Sequence, residues 1–199
     1  TDDEKSLKKK VRLATQLGTY QSTLTDIKYL RKIWRDNTEE ERLLGVSLTG
    51  IMDNKLTIKA DKELLSGMRK VAVDTNKKLA GELKIPQSAA TTCIKPSGTV
   101  SQLVDSASGI HSRHNEYYIR TVRGDNKDPL TQMMKDQGIP SEPDMMNPNN
   151  VTVFSFPQKA PKGAITRERY NAVEQLETWL QYQRHWCEHK PSCTVSVKE

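Results

Sequence analysis

Apolar residues recur at helical spacing near the start of the chain, at Leu7, Val11, Ala14, Leu17 and Leu24. Positions three and four apart share a helix face, so the pattern predicts an amphipathic helix. Thr1-Asp-Asp-Glu4 marks its start, because acids favour the positive end of the helix dipole. Lys8-Lys-Lys10 falls on the solvated face, and Gly18 is a point of bending or breakage. A second periodic stretch aligns Ile27, Leu30 and Trp34, and Asn37–Glu41 reads as a capped helical turn. Leu43–Ile51 breaks the rhythm. It is almost continuously apolar or small, as expected of a strand buried on both faces. A charged helix over Lys59–Leu83 follows, with Leu64, Leu65, Met68, Val71, Val73, Leu79 and Leu83 among its apolar positions. Ala89–Ile94 then reads as extended.

The second half alternates in the same way. Tyr117–Arg123 is β-branched and aromatic and predicts a strand. Asp128-Pro129 starts a helix that ends near Gly138, with proline at its first turn. Met145–Asn150 is a turn cluster, Val151–Phe156 a strand and Pro157–Gly163 a loop. Thr166 is placed to cap a long helix bearing Tyr170, Val173, Leu176 and Leu180, and Ser192–Val197 reads as a terminal strand. Strands and helices in strict alternation predict an α/β architecture with strands at least partly parallel.

The stretch Lys95-Pro-Ser-Gly-Thr-Val-Ser101 lies between an extended run and the apolar pair Leu103-Val104, which suits a short helix. Pro96 cannot donate to a ladder and should end the strand. Ser97-Gly98 is a turn pair in which Gly98 can take positive φ, and Thr99 is an N-cap candidate. Strand, tight turn and helix start together present unpaired amides, a ready phosphate cradle. The same features also describe a strand-to-helix turn that binds nothing. Neither the P-loop nor the dinucleotide glycine pattern is present.

Composition narrows the classes. The 199 residues suit one domain or part of a larger one. Apolar residues make up 35%, below the about 45–50%, glycine included, of self-contained domains. With a terminal strand lacking a partner and no initiator Met, this predicts an excerpt of a larger core. The formal charge of +6 fits either a solvated basic surface or attraction to phosphates. Only two Phe occur, and basic and aromatic residues do not alternate, so a nucleic-acid surface is not expected. Three cysteines without tight spacing fit a reducing compartment. No apolar run approaches the about 20 residues that span a bilayer, and no signal peptide is seen. A cytoplasmic protein with no membrane partner is expected.

Other candidates carry less. His185 and His189 are spaced i, i+4 near Cys187 and Cys193, but a structural zinc site wants four convergent ligands, so no metal is expected. His111 and His114 flank Arg113 in a polar loop, where a phosphate contact and simple exposure are both open. Arg120 and Arg123 lie on a strand and point to opposite faces. Cys93 reads as a buried inert thiol, and no carboxylate pair stands out as an acid–base couple.

Four stretches, taken in order, resemble one family. They are Gly18–Asp26, Glu39–Gly50 with Arg-Leu-Leu-Gly-Val-Ser-Leu-Thr-Gly at its end, Lys95–Ser101, and Tyr117-Tyr-Ile-Arg120. They are similar to adenosylcobalamin-dependent (class II) ribonucleotide reductases, above all the single-chain ribonucleoside-triphosphate reductases. The resemblance implies a ten-stranded α/β barrel around a finger loop, a ribonucleotide substrate, adenosylcobalamin as cofactor, thiyl radical chemistry, and a thioredoxin-like or dithiol reductant. The family's Asn-Pro-Cys motif, its reducing cysteine pair and its C-terminal cysteines have no counterpart here. No catalytic residue is therefore assigned, and the chain is expected to be inactive by itself. By motif order it matches the barrel downstream of the finger loop, a single partial domain over 1–199 that needs the remainder of a reductase chain as partner. The family's matching loop implies substrate-phosphate contacts by Pro96, Ser97, Gly98, Thr99, Val100 and Ser101. Lys95, His111 and Arg120 are further candidates. The alternative is a non-catalytic nucleotide- or phosphate-binding subunit of a split enzyme.

Overall fold

The computed structural model describes residues 2–197. Helices α1 (Glu4–Gln21) and α2 (Lys32–Glu41) lead into strand β1 (Val46–Ser47), short helix α3 (Lys55–Ile58) and long helix α4 (Lys62–Leu83). Strand β2 (Thr92–Cys93) and the single-turn helix α5 (Val100–Leu103) follow. Next come β3 (Tyr117–Asp125), α6 (Pro129–Asp136), β4 (Ser141–Pro143), β5 (Val151–Lys159) and α7 (Ala172–His185). The chain divides into two units, one of residues 2–113 with 162–197 and the other of His114–Pro161. No helix among the described residues is long and apolar enough to cross a membrane.

In the first unit α1 starts at Asp3. Its carboxylate accepts the Ser6 amide at 2.7 Å while the Ser6 hydroxyl accepts the Asp3 amide, a reciprocal capping box. Thr1, the first residue of the expected start, lies outside the described residues. The helix runs straight through Gly18, whose bare backbone lets Leu44 pack close. The buried stripe is Val11, Thr15 and Thr19, with Leu7 half-buried; Ala14, Leu17 and Leu24 face outward. Polar chemistry explains the shift. Asn76 of α4 donates to Thr19 at 3.0 Å and to Ser88 at 2.9 Å and accepts the Ser88 amide, so every member of this buried network has a partner. Helix α2 buries no residue, so Trp34 is exposed, as is Leu30 ahead of the helix.

Helix α4, capped by Asp61, starts at Lys62, three residues later than the expected Lys59, and it buries Leu64, Leu65, Met68, Ala72 and Leu79. The first four of these pack with Ile51, Met52, Ile94, Ile110, Tyr182 and Trp186 in one core. The run Leu43–Ile51 is a strand only at Val46 and Ser47; Gly50 (φ 70°) then turns the chain into a 3-10 turn at Ile51–Asp53. Burial from all sides reads alike for strand and coil, so the apolar run overstated its length. β1 pairs in parallel with β2, Val46 against Thr92 and Ser47 against Cys93. The far edge of β2 is met by the chain after α7, where the Glu188 amide donates to Thr92 O and the Trp186 indole to Cys93 O.

Two expectations fail at the end of this unit. Thr166 precedes only a 3-10 turn at Arg167–Arg169, and α7 is capped by Asn171 in a capping box with Glu174. An Asn and a Glu three residues apart satisfy two orphan amides, which Thr166 does not. Val173, Leu176 and Leu180 lie on the outer face, while Gln175 and Tyr182 are buried. Residues 192–197 form no strand. Side chains hold this segment instead: Gln175 donates to Thr194 O and the Trp179 indole to Pro191 O.

The second unit is a three-stranded antiparallel sheet in the order β3-β5-β4, with Val122 against Phe154 and Ser141 against Phe154. Phe154 and Val153 are buried in it. Helix α6 begins as expected, with Asp128 capping Leu130 and Pro129 in the first turn. It brings Thr131 so close to Gly124 that a β-carbon there would collide with its hydroxyl. Strand β5 runs on to Lys159, so the loop expected from Pro157 starts later. Strand pairing is thus parallel in one unit and antiparallel in the other.

Candidate functional site

The loop Lys95–Ser101 leaves the end of β2 and is braced from behind by hydroxyls. The Lys95 amide donates to Ser47 Oγ at 3.0 Å, fastening the loop to β1. The Ser97 amide donates to Ser108 Oγ at 2.7 Å. Ser97 Oγ accepts the Ser101 amide at 2.8 Å, and Ser101 Oγ returns a bond to Ser97 O at 3.0 Å. Ser97 therefore performs the capping expected of Thr99, whose side chain makes no cap bond. Ser101 is fully buried, and both its amide and its hydroxyl serve the loop's own geometry.

The outer side differs. Gly98, Thr99 and Val100 are exposed. Among the described residues the amides of Thr99 and Val100 find no hydrogen-bond acceptor. Thr99 also presents an uncommitted hydroxyl there. Such a set of rigidly held donors on a strand-end turn is what an anion needs. Gly98 does not take positive φ, contrary to expectation, and a β-carbon on it would meet nothing within 4 Å. The glycine that geometry demands is Gly109, with φ 54° and its α-carbon packed under Lys95 O, where a β-carbon would come within 3.0 Å.

The supporting strap is Asp105–Arg113. The buried Arg113 guanidinium grips Asp53 with two donors, Nε at 3.0 Å and Nη2 at 2.9 Å, and also reaches Asp105 O at 2.8 Å. Asp53 in turn accepts the Ala107 amide at 2.6 Å. His111 lies in this strap with both ring nitrogens engaged. Nδ1 meets Ser108 O at 3.1 Å and Nε2 accepts the Thr194 amide at 3.1 Å, which makes Nδ1 the protonated nitrogen. Lys95 is exposed at the loop's base. Arg120 sits on β3 in the other unit, on the opposite strand face from Arg123, which pairs with Asp144 at 2.8 Å. Ser47, Asp53, Ser108 and Arg113 were not legible as loop supports, because no spacing rule links residues so far apart.

Of the cysteines, Cys93 and Cys187 are buried and Cys193 is half-buried. Burial pushes the Cys93 thiol up, and it pushes Cys187 up to about 12. Neither is a nucleophile near neutral pH, since the thiolate is the reactive form. Helix α7 ends at His185, so His189 does not share a helical face with it. Among the described residues no three His, Cys, Asp or Glu side chains gather in metal-binding proximity. Glu188 closes the start of β2. Burial works against its charge, but the Thr91 and Thr92 amides and Arg69 outweigh that and hold its carboxyl below the usual range. Clefts of about 550 and 840 Å³ lie along α7, and neither includes the loop.

No family model matches the chain. It is 28% identical over 223 residues to an adenosylcobalamin-dependent ribonucleoside-triphosphate reductase of Lactobacillus gasseri, covering 96% of this chain and 29% of that protein. The reductase of the same description from Lactobacillus leichmannii is 27% identical over 212 residues, with 90% and 28% covered. A probable adenosylcobalamin-dependent ribonucleoside-triphosphate reductase of Dictyostelium discoideum is 35% identical over 127 residues, 64% of this chain and 17% of that one. The fold matches a crystal structure of a B-12 dependent (class II) ribonucleotide reductase with a TM-score of 0.78 at 24% identity, over 93% of this chain and 30% of that one. The chain thus spans 29% of the length of the first of these curated relatives.

Proposed function

We propose that this chain is the part of an adenosylcobalamin-dependent ribonucleoside-triphosphate reductase barrel that holds the substrate's phosphates. The loop Pro96–Ser101 is the holding element. Its inner residues, Ser97 and Ser101, keep the shape, while Gly98, Thr99 and Val100 face the anion. The observation that carries this is the pair of exposed amides at Thr99 and Val100, which have no acceptor among the described residues. Lys95 adds positive charge at the loop's base. His111 acts through the strap, and Arg120 is a further candidate.

Three helices support the barrel-segment reading. Leu17 of α1, Trp34 of α2 and Leu176 of α7 face outward, with exposures of 71%, 51% and 48%. Large apolar side chains gathered on helix faces mark surfaces made to be covered. In this reading residues 1–199 are one partial domain, and the rest of a ten-stranded barrel covers those faces. The relatives' names bring adenosylcobalamin, whose bound form supplies a radical. None of Cys93, Cys187 and Cys193 lies in a motif matched to that chemistry, so this chain's own part in it is the loop. A ribonucleotide substrate, a dithiol or thioredoxin-like reductant and a cytoplasmic site of action belong to the same reading. The split-subunit alternative is less favoured, because relatives that match 96% of the chain are themselves reductases.

The test is Gly98→Val in a full-length reductase carrying this segment. A β-carbon there enters open space, and the backbone is not left-handed, so folding should change by less than about 0.5 kcal/mol. The nucleotide KM should rise while the melting temperature holds. An unchanged KM would remove the loop from substrate binding.

A further inference from the structure

We infer that the buried Arg113–Asp53 pair is a positioning pair that sets the loop's affinity for a polyphosphate, an inference that rests on the phosphate reading above. The pair's reach is through the strap. Asp53 is fixed at the end of the 3-10 turn after β1, and Arg113 binds it through two donors in a planar fork. The same guanidinium holds Asp105 O, and Asp53 holds the Ala107 amide. Residues 105–107 are thereby pinned to the turn, reinforced by Gly50 N and Thr49 Oγ donating to Ala107 O at 2.7 and 3.0 Å. From this pinned segment the Ser106 amide donates to Ser101 O at 2.8 Å, and Ser108 Oγ accepts the Ser97 amide. Both ends of the phosphate loop therefore take their position from a strap whose place Arg113 and Asp53 define.

A buried ion pair is weak evidence for stability, since apolar packing often serves as well. What it provides here is direction: a fork fixes angles that methyl groups do not. Loss of that direction should show in ligand affinity.

The experiment is calorimetric titration of inorganic tripolyphosphate into the 199-residue chain and its variants. Asp53→Asn keeps the side chain's shape but removes the charge. Ser108→Ala removes only the hydroxyl that relays the strap's position. Each should weaken binding by about tenfold, because small displacements of positioned donors are costly. Asn76→Ala is the control. It strips three buried hydrogen bonds away from the loop, so it should lower the melting temperature yet leave affinity within about twofold. Wild-type affinity in both Asp53→Asn and Ser108→Ala overturns the positioning role, and so does equal weakening in Asn76→Ala. If Asp53→Asn fails to fold, Ser108→Ala decides alone. A wild-type chain that does not bind tripolyphosphate overturns the phosphate reading itself, and Gly98→Val would then also leave KM unchanged.

Discussion

Two turns of this chain hold backbone amides at a strand end, and they differ in what answers them. After β4, Asp144 turns its carboxylate onto the amides of Met146 and Asn147 at 3.0 and 3.1 Å, while Arg123 donates to its other oxygen. The Arg123 guanidinium beside Asp144, helped by those amides, holds its carboxyl below the usual range. After β2, the loop Pro96–Ser101 spends its rear amides on serine hydroxyls but leaves Thr99 and Val100 without an acceptor among the described residues. The first turn carries its own anion; in the reading proposed above, the second takes one from the ligand. Solvent can satisfy exposed amides when no anion is bound, so keeping them uncommitted costs the fold little. A turn that needed its donors for stability would resemble the one at Asp144.

Glu188 is a second built-in anion, and removing it should have the largest effect. Its carboxylate takes the amides of Thr91 and Thr92 and pairs with Arg69, with the side chain only 17% exposed. Glu188→Gln should cost about 2 kcal/mol, because a charge-assisted acceptor is lost at partly buried amides. Thermal melting measures this. The folded pKa lies below the ordinary 4.5, so the stabilisation is complete above that value and disappears as pH falls through the lower folded one. Wild type should therefore lose more stability than the Gln variant between about pH 6 and about pH 3. Parallel losses in the two would mean that Glu188 gains nothing from its partners. A smaller effect is expected at the exposed turn. Asp144→Asn should speed hydrogen exchange at Met146 and Asn147 while leaving tripolyphosphate affinity at the wild-type value. A change in that affinity would undo the contrast between the turns.

Much of this was legible in the sequence, and what was not has physical causes. Helical periodicity located α1, α4, α6 and α7, because burying one face imposes a period of 3.6. It misjudged which face, since Thr15, Thr19 and Asn76 form a satisfied polar network inside while Leu17 and Leu176 point outward. A pattern assigning apolar residues to the core inverts wherever a larger partner surface is to be covered. Strand length in Leu43–Ile51 and Ala89–Ile94 was overestimated because buried coil and buried strand share a composition. The loop Lys95–Ser101 stood out by its own residues as a strand-end turn, and only the family resemblance gave it a phosphate role. Its supports were not, because Ser47, Asp53, Ser108 and Arg113 meet it only through the tertiary fold. Gly98 drew attention as the special glycine, but the backbone requirement sits at Gly109, which nothing local distinguishes from any other loop glycine.

The most direct measurement follows individual amide resonances as tripolyphosphate is titrated into the isotopically labelled chain. The resonances of Thr99 and Val100 should move saturably as the ligand binds, while those of Met146 and Asn147, already answered by Asp144, stay in place. Absence of movement at Thr99 and Val100, or shifts confined to the lysine-rich surface of α1, would contradict the assignment of this loop as the phosphate holder.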